Sequence, residues 1–270
     1  MRTLDEAVFP SGIYCISCGA LIDASRPYSL CDDCVRKIHW ITGEPREDGS
    51  PGTCAKCGKA LNEEYHGGSA GPAGRLCYDC MERNHYFTRG YSCMTYGLME
   101  REIMMDFKYH EKSYLGRHLG DILFDRMRPE IDTGLQIDVI IPVPLSRDRM
   151  RKRGYNQTLM MARRMAERWE EYAKPGAPIL EAGVLYRAKK TIMLRSLSPA
   201  ERALALEGAF LVAEGTESRI IGKNVLLIDD IYTTGATADA CSRALLEAGA
   251  KSVFMLSLAS GGNRKPSGVR

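Results

Sequence analysis

The fold class follows from the stretch Val225-Leu-Leu-Ile-Asp-Asp-Ile-Tyr-Thr-Thr-Gly-Ala-Thr237. Its first four residues are apolar and predict a buried strand, and residues 236–248 predict a helix that Gly249 ends. Two acids, Asp229 and Asp230, follow the apolar run, and a turn of small hydroxyl residues separates them from the helix. A strand that leads into a helix in this way is typical of open α/β sheets, in which ligands bind at the carboxyl ends of the strands.

The same stretch has the chemistry of a binding loop for a ribose 5-phosphate group. The start of a helix presents unpaired N–H groups and a partial positive charge, which together hold a phosphate. Threonine hydroxyls add donors, glycine lets the backbone approach closely, and paired carboxylates accept hydrogen bonds from vicinal sugar hydroxyls. A plain strand–turn–helix junction would account for only one threonine and one aspartate. We predict that the ligand is held by Asp229, Asp230, Thr233, Thr234, Gly235, Ala236 and Thr237.

The segments around this stretch have the same alternating texture. Short apolar runs at 137–143 and 253–258 predict two more strands, and apolar spacing predicts a helix at about 157–172. Two further helices are predicted upstream, one with Leu98 on its apolar face and one that begins behind Ser113 as its N-cap. Strands that alternate with helices indicate an α/β domain with a mostly parallel sheet flanked by helices.

The cysteines are concentrated in the first third of the chain. Nine of the ten precede residue 94, and eight of these form pairs with two residues between the partners. Because Asp5 and Glu6 stand where a secretory signal needs an apolar core, we expect a cytoplasmic protein, in which such pairs favour a metal over disulfides. The pairs are Cys15/Cys18, Cys31/Cys34, Cys54/Cys57 and Cys77/Cys80, and no role is predicted for Cys93 or Cys241.

The paired cysteines belong to a tandem repeat, since residues 15–21 match residues 54–61 and residues 30–34 match residues 76–80. Four thiolates make the closed tetrahedral site that zinc occupies in structural roles, so we predict two structural zinc ions, one in each repeat. A cross-braced exchange of pairs between the repeats, or a set of free or redox-active thiols, is the alternative. Three nearby histidines could also substitute as ligands: His39, His66 and His85.

These observations divide the chain into two parts. We predict a tandem zinc-ribbon-like module at residues 1–90, with units at about 12–41 and 52–85, and an α/β domain at residues 91–270. No stretch has the roughly 18–20 apolar residues that a membrane span requires. The formal net charge of +3 is too small to indicate a nucleic-acid or membrane partner by itself.

A basic run follows the strand predicted at 137–143. Five arginine and lysine residues lie within the segment Pro142-Val-Pro-Leu-Ser-Arg-Asp-Arg-Met-Arg-Lys-Arg-Gly-Tyr-Asn-Gln157. Such a run is usually a solvated face. At a strand end beside the predicted ribose site it also suits a diphosphate, because arginine matches phosphate geometry with two parallel hydrogen bonds.

The loop at 225–237 resembles the diphosphoribose-binding signature of type I phosphoribosyltransferases. With the cysteine repeats, the basic run, Phe107-Lys-Tyr-His110 and the segment from Arg187 to Phe210, nearly the whole chain resembles the ComF family. In that family, zinc-binding cysteines precede a phosphoribosyltransferase-type domain, and some members are needed for DNA uptake in natural transformation.

The resemblance implies a ligand and a role for each motif. Asp229 and Asp230 would hold the ribose hydroxyls of phosphoribosyl diphosphate, which binds with Mg²⁺, and residues 233–237 would hold its 5-phosphate. A diphosphate loop is implied at Pro144, Leu145 and Ser146. A mobile loop at about 187–202 would close over the substrate, with Arg187, Lys190 and Thr191 as candidate catalytic residues, although Leu194 and Ala205 depart from the family pattern.

Three functional hypotheses stay open. The first is an enzyme that transfers the phosphoribosyl group to a nitrogen acceptor, a chemistry that needs no nucleophile–base pair, so that His110 and His118 are interpreted as helix-surface residues. The second is a non-catalytic competence factor that binds a nucleotide or single-stranded DNA. The third makes the zinc module a docking platform for a protein of the competence machinery. The candidates for phosphate or DNA contact are Arg147, Arg149, Arg151, Arg153, Tyr155, Asn156 and Gln157.

Overall fold

Nine strands occur in the computed structural model, which describes residues 13–45, 47, 49, 52–61, 70–71, 74–109, 112–189 and 205–261. Five of them build one sheet, and the others form two short hairpins. The strands within the described residues are β1 (Ala70–Gly71), β2 (Gly74–Arg75), β3 (Arg89–Thr95), β4 (Val139–Pro142), β5 (Ile179–Leu180), β6 (Leu185–Arg187), β7 (Phe210–Val212), β8 (Asn224–Tyr232) and β9 (Ser252–Ser260).

Helices flank the sheet. The described part of the chain contains α1 (Asp32–Lys37), α2 (Tyr78–Glu82), α3 (Leu98–Tyr109), α4 (Leu115–Asp132), α5 (Arg147–Arg153), α6 (Gln157–Tyr172) and α7 (Ala236–Glu247). The first two are short helices inside the cysteine repeats, and the other five belong to the α/β part. Among the helices that the structure describes, none combines the length and the hydropathy that a membrane span needs.

The main sheet has the strand order β3-β9-β8-β4-β5, and every neighbouring pair in it is parallel. The central strand is β8, with Val225 opposite both Val139 of β4 and Val253 of β9. The hairpins β1–β2 and β6–β7 are antiparallel and lie outside this sheet. The carboxyl end of β8 therefore lies in the middle of one edge of the sheet, which is where the acid pair stands.

Apolar residues cover both faces of the sheet, because successive side chains of a strand point to opposite faces. Leu226 and Ile228 of β8 belong to a core cluster with α3, α4 and α6, whereas Val225 and Leu227 belong to a second cluster with α7 and the β6–β7 hairpin. Cys15, Cys31 and Cys34 of the first repeat lie in or against the former cluster, and the four cysteines of the second repeat lie in the latter. The two repeats thus pack against opposite faces of the sheet.

The structure confirms the predicted fold class: a parallel sheet flanked by helices follows two four-cysteine clusters. All three predicted strands are present, but β8 continues to Tyr232, so that Asp229 and Asp230 lie within the strand and not behind it. The strands β3 and β5 were not predicted from the sequence. The predicted division between residues 90 and 91 falls inside β3.

Helix predictions differ from the structure in three details. The N-cap of α4 is Tyr114 instead of Ser113, and it makes no side-chain capping bond. Leu98 is exposed, because the buried position on the first turn of α3 is taken by Glu100, whose carboxylate accepts hydrogen bonds from the N–H groups of Gly97 and His39 at 3.0 and 2.9 Å. The expectation that His118 lies on a helix surface is wrong: it is buried on α4, and burial together with Arg117 and Arg164 lowers its pKa to about 4. His110 lies outside the described residues.

Candidate functional site

The eight paired cysteines form two clusters that could each hold a metal ion. The four sulfur atoms of each cluster all lie within 4.8 Å of one another. Zinc–sulfur bonds of about 2.3 Å in a tetrahedron put sulfur atoms roughly 3.8 Å apart; the Cys18–Cys31 and Cys57–Cys77 sulfur distances are 3.7 and 3.6 Å. The first four-cysteine unit is Cys15, Cys18, Cys31 and Cys34, and the second is Cys54, Cys57, Cys77 and Cys80. The clusters pair cysteines within each repeat and not between repeats.

The backbone repeats as well as the cysteines. In the first unit the Cys15 N–H donates to the Ala20 oxygen and the Gly19 N–H to the Cys15 oxygen; Cys54, Lys59 and Gly58 make the same two bonds in the second. The second cysteine pair of each unit directs an N–H group at a sulfur of the first pair, since the nitrogen of Cys77 lies 3.2 Å from the Cys54 sulfur and that of Cys31 lies 3.4 Å from the Cys15 sulfur. Such donors favour thiolates, which are the form that binds zinc.

Backbone N–H groups stabilise the thiolate of Cys15 in the first unit as well. Burial acts to raise its pKa, but the backbone N–H groups of Cys18 and Cys31 lower it to about 7. The predicted substitute ligands are used differently: His39 contacts Glu100 at 3.2 Å and His85 contacts Asp239 at 2.7 Å, while His66 lies outside the described residues. The donor set that fits zinc in each unit is therefore four cysteines.

The acid pair stands at the carboxyl end of the central strand. The Lys108 amino group lies 2.6 Å from an Asp230 carboxylate oxygen, and the Asp230 N–H donates to the Asp229 carboxylate at 2.8 Å. Lys108 belongs to the Phe107–His110 motif on α3, to which the sequence analysis assigned no site role. The helix α3 thus brings a cation to the acids from a position more than 100 residues earlier in the chain.

The two carboxyl groups differ in their pKa values. Burial and the neighbouring Asp230 charge raise the pKa of Asp229 to about 7. Burial acts in the same direction on Asp230, but the Lys108 ammonium outweighs it and lowers the pKa of Asp230. Asp230 is therefore the more readily ionised member of the pair, and Asp229 ionises at a higher pH than a free aspartate does.

The threonine loop forms a pocket beside the acids. A cavity of about 200 Å³ is lined by Asp229, by the loop residues from Thr233 to Thr237 and by Leu206. Gly235 has a φ of +81°, and α7 begins immediately after it. The free N–H groups of the first turn of α7 therefore open toward the loop, as the binding of a phosphate requires. The structure thus brings six of the seven residues predicted for the ribose 5-phosphate group together around one cavity, and the seventh, Asp230, follows Asp229 on β8 and pairs with Lys108.

The segment predicted as a diphosphate loop runs beside this pocket. Its first residue, Pro144, follows Val143, whose N–H donates to the oxygen of Ile228 at 2.9 Å, directly before Asp229. Thr158 fixes the same segment by donating to the Val143 oxygen at 2.7 Å. Ser146 is the N-cap of α5 and accepts a bond from the Arg149 N–H at 3.4 Å. The two loops are therefore neighbours at the same edge of the sheet.

The basic run is a helix, α5, which the sequence analysis did not predict. Of its basic residues, Arg147, Arg149, Arg151 and Lys152 are exposed. Arg153 is half-buried and donates to Gln157 at 2.8 Å and to the Tyr109 hydroxyl at 3.3 Å.

Phe107 and Tyr155, which lie in two of the segments that carry the family resemblance, are joined in space. The Tyr155 hydroxyl donates to the Phe107 oxygen, and Asn156 caps α6 by accepting from the Thr158 N–H at 3.2 Å. Arg153 also lies close enough to Asp230 to help lower its pKa. The C-terminal residue of α5, Arg153, therefore lies near the acid pair and forms the inner end of the helix. The other four basic residues of α5 are exposed to solvent and form its outer face.

The base of the predicted closing loop reaches the site. Arg187 ends β6 and lies over the Phe210 ring at 5.3 Å. Burial and the nearby Arg149 charge lower the pKa of Arg187, while Asp229 acts in the opposite direction. The remaining candidates on that loop, Lys190 and Thr191, lie outside the described residues.

Four residues of the site region were not assigned by sequence reasoning. Lys108 pairs with Asp230, Tyr232 lies beneath the threonine loop, and His85 and Asp239 meet behind it. Only Lys108 carried a signal, because it stands in a motif that the family resemblance used. The contact of His85 with Asp239 joins distant parts of the chain and leaves no local pattern in the sequence. Tyr232 stands inside the 225–237 stretch, but nothing in that stretch indicates that its ring lies beneath the loop.

No protein-family model matches the chain. Among curated proteins it is similar to competence protein F of Haemophilus influenzae, with 27% identity over 91% of this chain and 96% of that protein. It is 26% identical to competence protein ComFC of Bacillus subtilis over 82% of this chain and 79% of that protein. It is also 24% identical to the DNA utilization protein YhgH of Escherichia coli K12, over 81% of this chain and 95% of that protein.

The solved structures similar to this one include a glutamine phosphoribosylpyrophosphate amidotransferase from B. subtilis complexed with ADP and GMP, with 18% identity and a TM-score of 0.35. The match covers 57% of this chain but only 30% of the amidotransferase. A hypoxanthine phosphoribosyltransferase from Staphylococcus aureus is 14% identical with a TM-score of 0.33, over 59% of this chain and 70% of that one.

Proposed function

We propose that this chain, which its relatives assign to the ComF family, binds phosphoribosyl diphosphate together with Mg²⁺ and transfers its phosphoribosyl group to a nitrogen acceptor. The observation that carries the proposal is the meeting of Asp229, the threonine loop and the start of α7 around one cavity at the end of the central strand, with Asp230 next to Asp229 on that strand. A ribose with a 5-phosphate needs hydrogen-bond acceptors beside an anion site.

Each part of the ligand has a matching part of the site. Asp229 and Asp230 would accept hydrogen bonds from the two ribose hydroxyls, and residues 233–237 would donate to the 5-phosphate. The segment 144–146 lies next to Asp229 and would hold the diphosphate. Arg187 lies close enough to Asp229, and Arg153 of α5 close enough to Asp230, to supply positive charge to the site. Bound Mg²⁺ would supply further positive charge to the diphosphate.

The proposed reaction forms a bond between the acceptor nitrogen and C1 of the ribose while the bond from C1 to the diphosphate oxygen breaks. The electron pair of that bond leaves with the diphosphate, and the acceptor nitrogen loses a proton. Positive charge grows on the ribose ring in the transition state, so a carboxylate at Asp230 stabilises it electrostatically. The chain's own residues act by fixing the 5-phosphate and neutralising the diphosphate.

Two measurements test this proposal. Calorimetric titration of the protein with phosphoribosyl diphosphate and Mg²⁺ should give saturable binding to one site per chain. Diphosphate release in the presence of candidate nitrogen bases should then exceed release without a base. Absence of binding would overturn the site assignment, whereas binding with no release under any base would leave a binder of the same ligand and exclude the transferase.

A second candidate function is favoured by the outer face of α5. Four exposed cations within one seven-residue helix form a compact positive surface, and relatives carry the names competence protein and DNA utilization protein. Single-stranded DNA could contact this surface through its phosphates in a sequence-tolerant way. This function is compatible with ribose-phosphate binding, because the inner and outer sides of the helix serve different ligands.

A further inference from the structure

The segment that follows the second four-cysteine unit runs behind the phosphate loop. On it, His85 is buried, and its Nδ1 lies 2.7 Å from one carboxylate oxygen of Asp239, in the first turn of α7. The Tyr86 N–H donates to the other oxygen of the same carboxylate at 3.0 Å. Both carboxylate oxygens of Asp239, which lies at the N-terminal end of α7 beside the proposed phosphate site, therefore contact donors from the segment after the second four-cysteine unit.

The backbone of the threonine loop at Gly235 packs directly against the side chains of Tyr232 and His85. A Cβ atom at Gly235 would lie 2.6 Å from the Tyr232 hydroxyl and 2.8 Å from Cε1 of His85. Both side chains are buried, and within the described residues neither the Tyr232 hydroxyl nor His85 Nε2 has a hydrogen-bond partner. The position of the loop is thus fixed from behind by two rings, one of which belongs to the linker after the second unit.

These two rings are held by the second four-cysteine unit. Phe87 stacks on His85 at 4.9 Å and meets Tyr232 edge-on at 6.1 Å. Lys59 lies 5.3 Å above the Tyr232 ring and forms a buried ion pair of 2.7 Å with Asp79 inside the unit. The packing therefore runs without a break from the second unit to the phosphate loop.

The second unit is also joined closely to the sheet. A Cβ atom at Gly58 would lie 2.4 Å from the oxygen of Gly90, and one at Gly90 would lie 2.7 Å from the oxygen of Cys57. Backbone therefore meets backbone between the turn of the second unit and β3.

The first four-cysteine unit has different neighbours. Tyr28, which follows its first cysteine pair, donates to Asp125 of α4 at 2.8 Å. The Ile41 N–H donates to the oxygen of Cys93 at 2.8 Å, and Trp40 forms a bridge with Met94 at the outer edge of β3. These contacts stabilise the opposite face of the sheet from α7 and its loop.

We propose that His85 is a positioning residue for the phosphate loop, and that the second four-cysteine unit is a structural part of the ligand site while the first is not. This inference rests on the proposed function, because it assigns the loop to a 5-phosphate. His85 acts through Asp239: the hydrogen bond of its Nδ1 turns the carboxylate away from the phosphate, whereas its ring contributes to stability by packing beneath Gly235. A ligand phosphate then meets N–H groups without a competing negative charge.

Two substitutions at one position separate the hydrogen bond from the packing. His85→Phe keeps a ring beneath Gly235 but removes the donor to Asp239, so it should preserve most of the stability. His85→Asn keeps an amide N–H near the position of Nδ1 but loses the ring, so it should be less stable. The proposal predicts that affinity for ribose 5-phosphate falls at least about tenfold in His85→Phe and stays within about threefold of wild type in His85→Asn.

The readout is calorimetric titration with ribose 5-phosphate, with Mg²⁺-diphosphate as control ligand and the melting temperature of each variant beside it. The affinity for diphosphate should not change in His85→Phe, since the loop predicted to bind diphosphate, residues 144–146, lies on the other side of Asp229 from the threonine loop. An affinity for ribose 5-phosphate that follows the melting temperature, or one unchanged in His85→Phe, would overturn the positioning role.

A ligand-independent measurement keeps this inference separate from the proposed function. Amide hydrogen exchange at residues 233–239 should be at least about tenfold faster in His85→Phe than in wild type, and unchanged exchange would contradict the inference. If wild type does not bind ribose 5-phosphate at all, the proposed function fails, and the exchange result still decides whether His85 holds the loop.

Discussion

The acid pair at the end of β8 is asymmetric because, in the part of the chain that the structure describes, Lys108 forms its ion pair with Asp230. Lys108 lies 2.6 Å from Asp230 and keeps it ionised, whereas Asp229 is buried next to that charge and has its pKa raised to about 7. A hydroxyl-binding carboxylate near Mg²⁺ is needed in its ionised form. Asp229 therefore becomes a better ligand group as the pH passes through neutrality.

The first prediction is a pH dependence of ligand affinity. Because a raised pKa keeps Asp229 protonated below about pH 7, affinity for Mg²⁺-phosphoribosyl diphosphate should rise about tenfold between about pH 6 and pH 8. Calorimetric titration across this range measures it. The phosphate groups of the ligand also titrate, so Asp229→Asn is the control, and its slope should be shallower than that of wild type. Identical slopes would show that Asp229 does not titrate in the site.

A second prediction concerns Gly235, where conformation and space both require glycine. With a φ of +81° and a Tyr232 hydroxyl 2.6 Å from the Cβ position, Gly235→Ala should displace the loop and reduce ribose 5-phosphate affinity at least about tenfold. Gly222→Ala is the matched control, since its φ is +69° and a Cβ atom there would meet nothing within 4 Å.

Gly222→Ala should lower the free energy of unfolding by about 1 kcal/mol through backbone strain alone. It should leave the affinity for ribose 5-phosphate unchanged. Chemical denaturation and titration of both variants make the comparison. Equal affinity losses at the two positions would mean that the close packing under the loop has no bearing on the ligand.

Among the elements, α5 carries basic residues in two different surroundings. Its exposed face carries Arg147, Arg149, Arg151 and Lys152, and its inner end holds Arg153 against Tyr109 and Gln157. All four arginines were predicted from the sequence as candidates for phosphate or DNA contact. Their surroundings differ because a seven-residue helix turns only some of its side chains toward the protein.

The third prediction tests the outer face with single-stranded DNA. If this face binds phosphates, Arg147→Ala/Arg151→Ala should reduce the slope of log affinity against log salt by about 0.7 for each DNA phosphate that the variant no longer neutralises. Fluorescence anisotropy with a labelled oligonucleotide at several salt concentrations gives the slope. Arg128→Ala, an exposed arginine on α4, is the control and should leave it unchanged. DNA affinity that is indifferent to the α5 substitutions would remove the second candidate function.

The two four-cysteine units are alike in sequence but differ in burial. All four cysteines of the second unit are buried, whereas Cys18 of the first is exposed and Cys31 is half-buried. The second unit is part of the core cluster under β8 and α7, so its loss opens that core. The first unit packs at the edge, where a local change is tolerated more easily.

The fourth prediction therefore distinguishes the units by their effect on stability. Wild type should contain two zinc ions per chain, and Cys18→Ser and Cys57→Ser should each contain one. The melting temperature should fall several degrees further in Cys57→Ser than in Cys18→Ser, because a buried core position is changed. Metal analysis and thermal unfolding measure both quantities. Equal destabilisation, or one zinc ion in wild type, would contradict this division.

On the scale of the whole molecule, the sequence predicts the elements that have a local pattern. The apolar run before Asp229 predicts the central strand, the helix at 157–172 has the bounds that its spacing indicates, and the cysteine repeat predicts both clusters. Edge strands were missed: β5 has two residues, and β3 reads Arg-Gly-Tyr-Ser-Cys-Met-Thr, without a clear alternation.

The contacts that complete the site could not be predicted in this way. The pair of Lys108 with Asp230 and that of His85 with Asp239 join residues more than 100 positions apart, and neither pair has a spacing rule. They arise because a parallel sheet brings distant strand ends to one edge and because the second four-cysteine unit packs against that sheet. Burial also decides charge states, as for Asp229 and His118, and burial is a property of the folded chain.

The central claim is that the end of β8 holds the ribose of phosphoribosyl diphosphate, and calorimetric titration of wild type and Asp229→Asn/Asp230→Asn tests it most directly. Wild type should bind the Mg²⁺ complex saturably at one site, and the double variant should bind it at least about 100-fold more weakly, since two charged hydrogen-bond acceptors are lost. Both proteins should contain two zinc ions, which verifies an intact fold. Absence of binding by wild type, or equal affinity in the double variant, would contradict the account.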